Sequence, residues 1–408
     1  MNFSSQSKSA VVLSLDGLRP SILGPYGNTW FDTVNFNRLA AESQFFEQCL
    51  VDCPNPDNYF RSMLLGTHEA NRSSANEHLV DRVGDSGVDT ILLTTNSSAI
   101  SELTNDHFDQ VIEVELPQVE ALAPDLESTH MALFFAEAVR VIDRLESPVL
   151  LWLDCNSLTS TWDAPMEYRL QLADDEDPDP PGIFEPPDLE FNPNLDDPDQ
   201  LLGFQQAYGA QVVLLDQFLG VLLDELDRSA WGKDAFFSLV SQRGYPLGEH
   251  GVVGYYRPIL YNELIHVPMF FRWPEHRAIG LRTQTLVQPG LVYEALVDWF
   301  GCGVNDQPAF DRRMVPNLKE REAIVSICHS DFSSYQSIQT HSWKFITGSK
   351  QQLFVRPDDC WEVNEVSSLC PSIVEDLSRL LSTGIARMSA GESLLDNELP
   401  DHLAFGLE

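Results

Sequence analysis

The chain of 408 residues carries 62 acidic against 25 basic side chains, a formal net charge of −37 at pH 7. Phosphate backbones and anionic lipid surfaces are repelled by such a surface, which disfavours nucleic-acid and membrane binding. The hydrophobic fraction of 43% is that of a globular protein long enough for one large domain and a smaller one.

No apolar run of 18 residues marks a membrane span, and the first strand follows the N-terminus without a cationic leader. The seven cysteines are odd in number and lack a Cys-x-x-Cys pair, so they read as reduced thiols of a cytoplasmic protein. Residues 11–15, VVLSL, predict a buried strand with Asp16-Gly17-Leu18-Arg19-Pro20 at its carboxyl end. Asp32 and Thr33 offer side-chain oxygens to cap a helix through Phe36, Leu39 and Ala40. The segment VDCPNPDNYFRSMLLGTHEANR follows, and GVDTILLTT over 87–95 predicts a second buried strand. A helix over 129–144 feeds a strand over 149–153, after which the chain reads SLTSTWDAPMEY.

From Asp174 to Asp199 the chain has no basic residue and is broken by repeated prolines. Such a segment cannot bury enough apolar surface to offset its ordering entropy, so a solvated loop or lid is expected. Phe204, Tyr208, Val212, Leu215, Leu219, Leu222 and Leu226 then recur at steps of three and four, as on a long amphipathic helix. That helix delivers the chain to an apolar run at Phe236–Val240, a glycine-rich excursion through Gly244, Gly248, Gly251 and Gly254, and a second apolar run ending at Trp273. A strand that stops in glycines and resumes as a strand presents a loop at the carboxyl edge of an α/β sheet, where open sheets bind ligands. Beyond Pro274 a helix over 291–300 precedes short alternating runs expected to pair antiparallel, then a helix over 373–381 and an acidic tail expected to be loose.

Several of these segments fall in the order found in one family. Tyr26-Gly27-Asn28, Asn35 to Glu42, Trp162, Pro165, Tyr168, Gly248-Glu249-His250-Gly251, Val267-Pro268, Arg272-Trp273-Pro274 and Trp343 to Ile346 together resemble the sulfatases of the alkaline phosphatase superfamily. The resemblance implies an α/β fold, a mostly parallel sheet sandwiched by helices, with a smaller C-terminal antiparallel sheet plus helix. It implies a core over 1–305 interrupted by the acidic loop 173–200, a C-terminal α+β subdomain over 306–390, and a tail over 391–408.

The resemblance also assigns positions. Asp16 and Gln242 stand where two metal ligands stand in the family, and Gly17 and Arg243 replace two more. Anchoring on Arg61 and Leu64-Leu65 puts Asp57 in the place of the cysteine oxidised to formylglycine, with Arg61 beside it. His250 falls at a catalytic position. Arg61, Thr159 and Tyr255 fall at substrate-binding positions, Thr159 replacing a histidine and Tyr255 a lysine. Thr95 and Ser97 occupy places of a further lysine and histidine.

Sulfatases hold Ca²⁺, which needs about six to eight oxygen ligands. A guanidinium has only donors and stays charged, so Arg243 cannot ligate. The expectation is therefore a vestigial metal site with no cofactor, filled by ion pairs among Asp16, Asp57, Arg61 and Arg243, with Asp57 paired to Arg61 or Arg243. His250 is expected to pack in its loop. The function expected is that of a non-hydrolytic binding or regulatory protein with a small anionic ligand or a protein partner. The alternative is an active sulfate- or phosphate-ester hydrolase with a rearranged Ca²⁺ site.

Overall fold

The computed structural model describes residues 8–72, 77–95, 104, 106–146, 148–255, 257–274, 278–303, 321–330, 333–392, 394–395 and 399–404. In chain order its first ten strands are β1 (Ala10–Leu15), β2 (Gln44–Cys49), β3 (Asp89–Thr94), β4 (Gln110–Glu113), β5 (Val149–Cys155), β6 (Leu189–Glu190), β7 (Phe236–Ser241), β8 (Val252–Val253), β9 (Met269–Arg272) and β10 (Leu281–Val287). Eight of them form one sheet in the order β10-β2-β9-β7-β1-β5-β3-β4. Only β9 runs antiparallel to its neighbours β2 and β7.

Strands covered on both faces read as continuous apolar runs, and β1 and β5 are buried along their full lengths. Val11, Leu13 and Leu15 pack toward the helices His130–Arg144 and Pro198–Arg228, while Val12, Trp152 and Val240 pack toward the helices Pro56–Leu65, Leu79–Asp85 and Leu291–Phe300. The 31-residue helix Pro198–Arg228 starts where Asp197 accepts the Asp199 N–H and Pro198 sits in the first turn. By length and composition it could cross a membrane, yet 78% of its most apolar window is buried inside the molecule.

The C-terminal part is a four-stranded antiparallel sheet of β11 (Ala323–Ser330), β12 (Ser333–Thr340), β13 (Trp343–Thr347) and β14 (Gln352–Val355), with the helix Pro371–Ser389 laid on it through Ile373, Leu377 and Leu381. It is bonded to the core: Ile327 N donates to Asp52 O at 2.7 Å and Ser326 Oγ to Val51 O at 2.6 Å. A fully buried Lys344 reaches Glu362 at 2.6 Å and Asn262 Oδ1 at 2.7 Å, tying β13 to the glycine-rich region of the core. The architecture is the one expected from the sequence.

Two local expectations are corrected. The acidic tail is not loose throughout, because Leu399, Leu403 and Ala404 are buried and Trp343 Nε1 donates to His402 O at 2.9 Å. The segment 174–199 is not a free excursion but a strap. β6 pairs with β8, Phe191 N donates to Gly251 O at 3.0 Å, and the Phe191 side chain is buried. The buried Arg169 guanidinium holds the strap from beneath, donating to the carbonyls of Trp162 (2.8 Å), Ile183 (2.6 Å) and Pro181.

Candidate functional site

The site is set by strands that end in step. Leu15 of β1 lies opposite Cys155 of β5 and Ser241 of β7, and Thr94 of β3 lies opposite Asp154. Asp16, Asp154 and the pair Gln242-Arg243 therefore arrive at one carboxyl edge.

Asp16 is enclosed by three donors. Its Oδ1 accepts Arg243 Nε at 2.9 Å, and its Oδ2 accepts Arg243 Nη2 at 3.0 Å and Thr159 Oγ1 at 3.0 Å. The guanidinium carbon lies 3.5 Å from the ring centroid of Tyr255, whose hydroxyl donates to Gly244 O at 3.1 Å. Burial acts to lower the Arg243 pKa, and the Asp16 carboxylate outweighs it and leaves the pKa raised. Arg243 is thus a fixed cation stacked on an aromatic face and clamped on both carboxylate oxygens.

Beneath this pair lies a second carboxyl. Asp154 is buried, accepts Thr94 Oγ1 at 3.0 Å and Gln242 Nε2 at 2.8 Å, and among the described residues has no ion pair. Gln242 Nε2 also reaches Ser14 Oγ at 3.3 Å. Burial pushes the Asp154 pKa up to about 7, and the nearby Asp16 charge adds to the shift. Near neutral pH this group holds a proton part of the time, which removes a second negative charge from the crevice. Tyr59 closes the cluster, its buried hydroxyl near Ser14 and its pKa raised by that burial.

The residues present do not fit a divalent cation of the kind sulfatases hold. Gly17 has no donor, and it sits at φ +91, where a Cβ would lie 2.6 Å from Thr159 Cγ2. Gln242 turns an amide N–H toward Asp154. Arg243 puts a positive charge on the remaining carboxylate, which would oppose a cation at about 4 Å by roughly 4 kcal/mol per unit charge at an effective dielectric near 20.

The other expected positions divide. Thr159, Tyr255, Asp16, Gln242 and Arg243 converge. Asp57 does not: it is exposed in the first turn of the helix Pro56–Leu65, its N–H capped by Asn55 Oδ1 at 2.9 Å. Arg61 donates instead to Arg72 O at 3.1 Å, and no ion pair joins Asp57 to Arg61 or Arg243 among the described residues. The sequence expectation of an Asp57 salt bridge is corrected on this ground. Successive positions two apart on a helix point about 200° away from each other, so Tyr59 turns inward as Asp57 turns out. Ser97 lies outside the described residues.

His250 is committed elsewhere. Its Nδ1 lies 2.6 Å from Glu263 Oε1, its Nε2 lies 3.0 Å from Glu362 O, and its ring stacks on Tyr261. Burial acts to lower its pKa, but the Glu263 hydrogen bond prevails and the pKa is raised. With both ring nitrogens engaged it packs the loop rather than facing a substrate. The neighbouring Glu249 pairs with Arg19. The strap completes the enclosure, Tyr245 donating its hydroxyl to Pro187 O above the crevice.

Asp154, Thr94 and Ser14 were not singled out by sequence reasoning. The available signal was a lone carboxylate in the strand VLLWLDC, flanked by apolar residues at a depth where a charge has no sequence-adjacent partner.

Comparison with known proteins agrees with this geometry. The sulfatase family model matches residues 8–301. A protein of Formosa agariphila described as a sulfatase is 31% identical over 126 residues, a stretch covering 30% of this chain and 24% of that protein. Among solved structures, a 2-O GAG sulfatase superimposes with a TM-score of 0.72 at 15% identity, covering 98% of this chain and 96% of its own. The phosphonate monoester hydrolase of Agrobacterium radiobacter gives 0.75 at 13% identity, with 93% and 96% covered. A third structure, solved with its substrate D-glucosamine-2-N,6-O-disulfate, gives 0.76 at 13% identity, with 96% and 100% covered. With the family model spanning most of the chain and the expected strand edge in place, this chain belongs to the sulfatase family.

Proposed function

We propose that this sulfatase-family chain does not hydrolyse esters and serves in the cytoplasm as a binding or regulatory protein for a small anionic ligand or a protein partner. The observation that supports this reading is the clamp on Asp16: both carboxylate oxygens are taken by Arg243, and Thr159 takes a second bond on one of them. In a hydrolase of this family a metal stabilises the charge that develops as the ester oxygen leaves. Here the corresponding positive charge belongs to a side chain, is already neutralised by Asp16, and lies half-buried under the strap. Asp57, at the surface, is an anion placed where no sulfate ester could approach it favourably.

The test pairs elemental analysis of purified protein with turnover of 4-nitrophenyl sulfate, phosphate and phosphonate esters by wild type and Asp16→Ala. The reading expects no stoichiometric Ca²⁺ or Mg²⁺ and no turnover sensitive to Asp16. One equivalent of bound Ca²⁺ with ester hydrolysis abolished by Asp16→Ala would overturn it. A thermal-shift screen of sulfated sugars and phosphonate esters, chemistries named for the solved relatives, then searches for the ligand, since a compound that binds only the folded state raises its apparent stability.

A further inference from the structure

We propose that His78, Asp81 and His107 form a site for a first-row transition-metal ion of the Zn²⁺ class, separate from the vestigial family site and sharing no residue with it. One ligand atom from each of the three lies within 4.8 Å of the others. His78 precedes the helix Leu79–Asp85, Asp81 lies in its first turn, and His107 comes from the segment that leads into β4.

The chemistry of the donor set fits. His107 Nδ1 is 2.8 and 2.9 Å from the two oxygens of Asp81. That is close to the separation, about 3 Å, of two ligands bound at right angles to an ion with bonds of about 2.0–2.1 Å. A proton occupies this position in the free protein, and a metal ion can replace it. The His78 ring lies 3.7 Å above the His107 ring and within 5° of parallel. Imidazole lone pairs lie in the ring planes, so one ring must turn out of this stack for both to meet one ion.

Ligation costs His78 the hydrogen bond that its Nδ1 accepts from the Val80 N–H at 3.3 Å, a long bond. Turning that ring out of the stack brings a third lone pair toward the ion held by Asp81 and His107. Two imidazoles and one carboxylate select Zn²⁺, Co²⁺ or Ni²⁺ over Ca²⁺ or Mg²⁺, which prefer all-oxygen shells. The adjacent cation, Arg82, is engaged with Glu77 at 3.1 Å, so it does not leave an unbalanced charge against the ion. Asp81 and His107 are both partly exposed, which gives an ion a route of entry. Bound metal would pin the helix Leu79–Asp85 to the approach to β4, the edge strand of the main sheet.

The test is a calorimetric titration of the full chain with Zn²⁺ after chelator treatment, with Co²⁺ absorption as a second probe. The expected result is one Zn²⁺ per chain, visible Co²⁺ bands of moderate intensity, and affinity reduced by more than about tenfold in His107→Ala and in Asp81→Asn. Circular dichroism on each variant separates lost binding from lost folding, and His107→Gln serves where the alanine variant misfolds. Asp16→Asn should bind Zn²⁺ as wild type does. Binding that survives the His107 and Asp81 substitutions in folded protein, or the absence of Zn²⁺ binding to wild type, overturns the proposal. Zn²⁺ binding that disappears only in Asp16→Asn overturns it as well, and would count against the non-hydrolytic reading too.

Discussion

Removing Arg243 probes the reasoning about the crevice most directly. Arg243→Ala deletes both hydrogen bonds to Asp16 and the contact with the Tyr255 ring. It leaves a carboxylate whose side chain is 6% exposed with Thr159 as its remaining side-chain donor among the described residues. A surface ion pair is worth about 0–1 kcal/mol, but breaking a buried pair strands the other charge and costs about 3–5 kcal/mol. With Arg243 itself only 16% exposed in its side chain, the second figure applies. The measurement is denaturant unfolding of wild type, Asp16→Ala, Arg243→Ala and the double variant, compared at constant slope. Arg243→Ala should lose about 3–5 kcal/mol, and the double variant should recover part of that loss because the stranded charge is gone. A loss below about 1 kcal/mol, or a double variant no more stable than Arg243→Ala, would refute the account of Arg243 as the cation that replaces the metal.

Two further outcomes follow from the same geometry. Asp154 is buried with its pKa raised to about 7, above an unfolded value near 3.9. Its contribution is fully present below the unfolded value and is lost as pH rises through 7, so stability attributable to it falls between about pH 4 and 8 by on the order of 4 kcal/mol. Asp154→Asn, which has no charge to form, should flatten that stretch of the stability profile, and an unchanged slope would count against the assignment. Arg169→Ala orphans the strap carbonyls of Pro181 and Ile183 together with that of Trp162, each costing about 1–3 kcal/mol when left buried and unpaired. Limited proteolysis within 174–199 should then accelerate by at least tenfold, since about 1.4 kcal/mol of easier opening is a factor of ten. Equal cleavage rates in the two proteins would show that Arg169 does not hold the strap.

The scaffold was legible because its signals are local. Continuous apolar runs at β1, β5 and β7 require burial on both faces, and the glycines after β7 mark the turn that opens the edge. The Arg243–Asp16 meeting could be read because the two residues lie two and one positions past the ends of adjacent strands. What escaped was anything set by helical phase or by partners far apart in sequence. A linear alignment through Arg61 put Asp57 at the expected crevice position, whereas Tyr59 is the residue that faces inward from the helix Pro56–Leu65. Asp154 draws its donors from Thr94 and Gln242, 60 and 88 positions away. The strap reads as disordered by composition because the groups that order it, Arg169 and Gly251, belong to neighbouring segments.

Gly17 sets a steric limit on the crevice. An aspartate at that position would be strained at a positive backbone angle, and Thr159 would have to withdraw its methyl group. Placing an acid at position 242 or removing the guanidinium at 243 would each leave that contact standing. Any longer side chain at position 17 therefore requires a local rearrangement of the loop after β1 and of Thr159, whatever residues stand at 242 and 243.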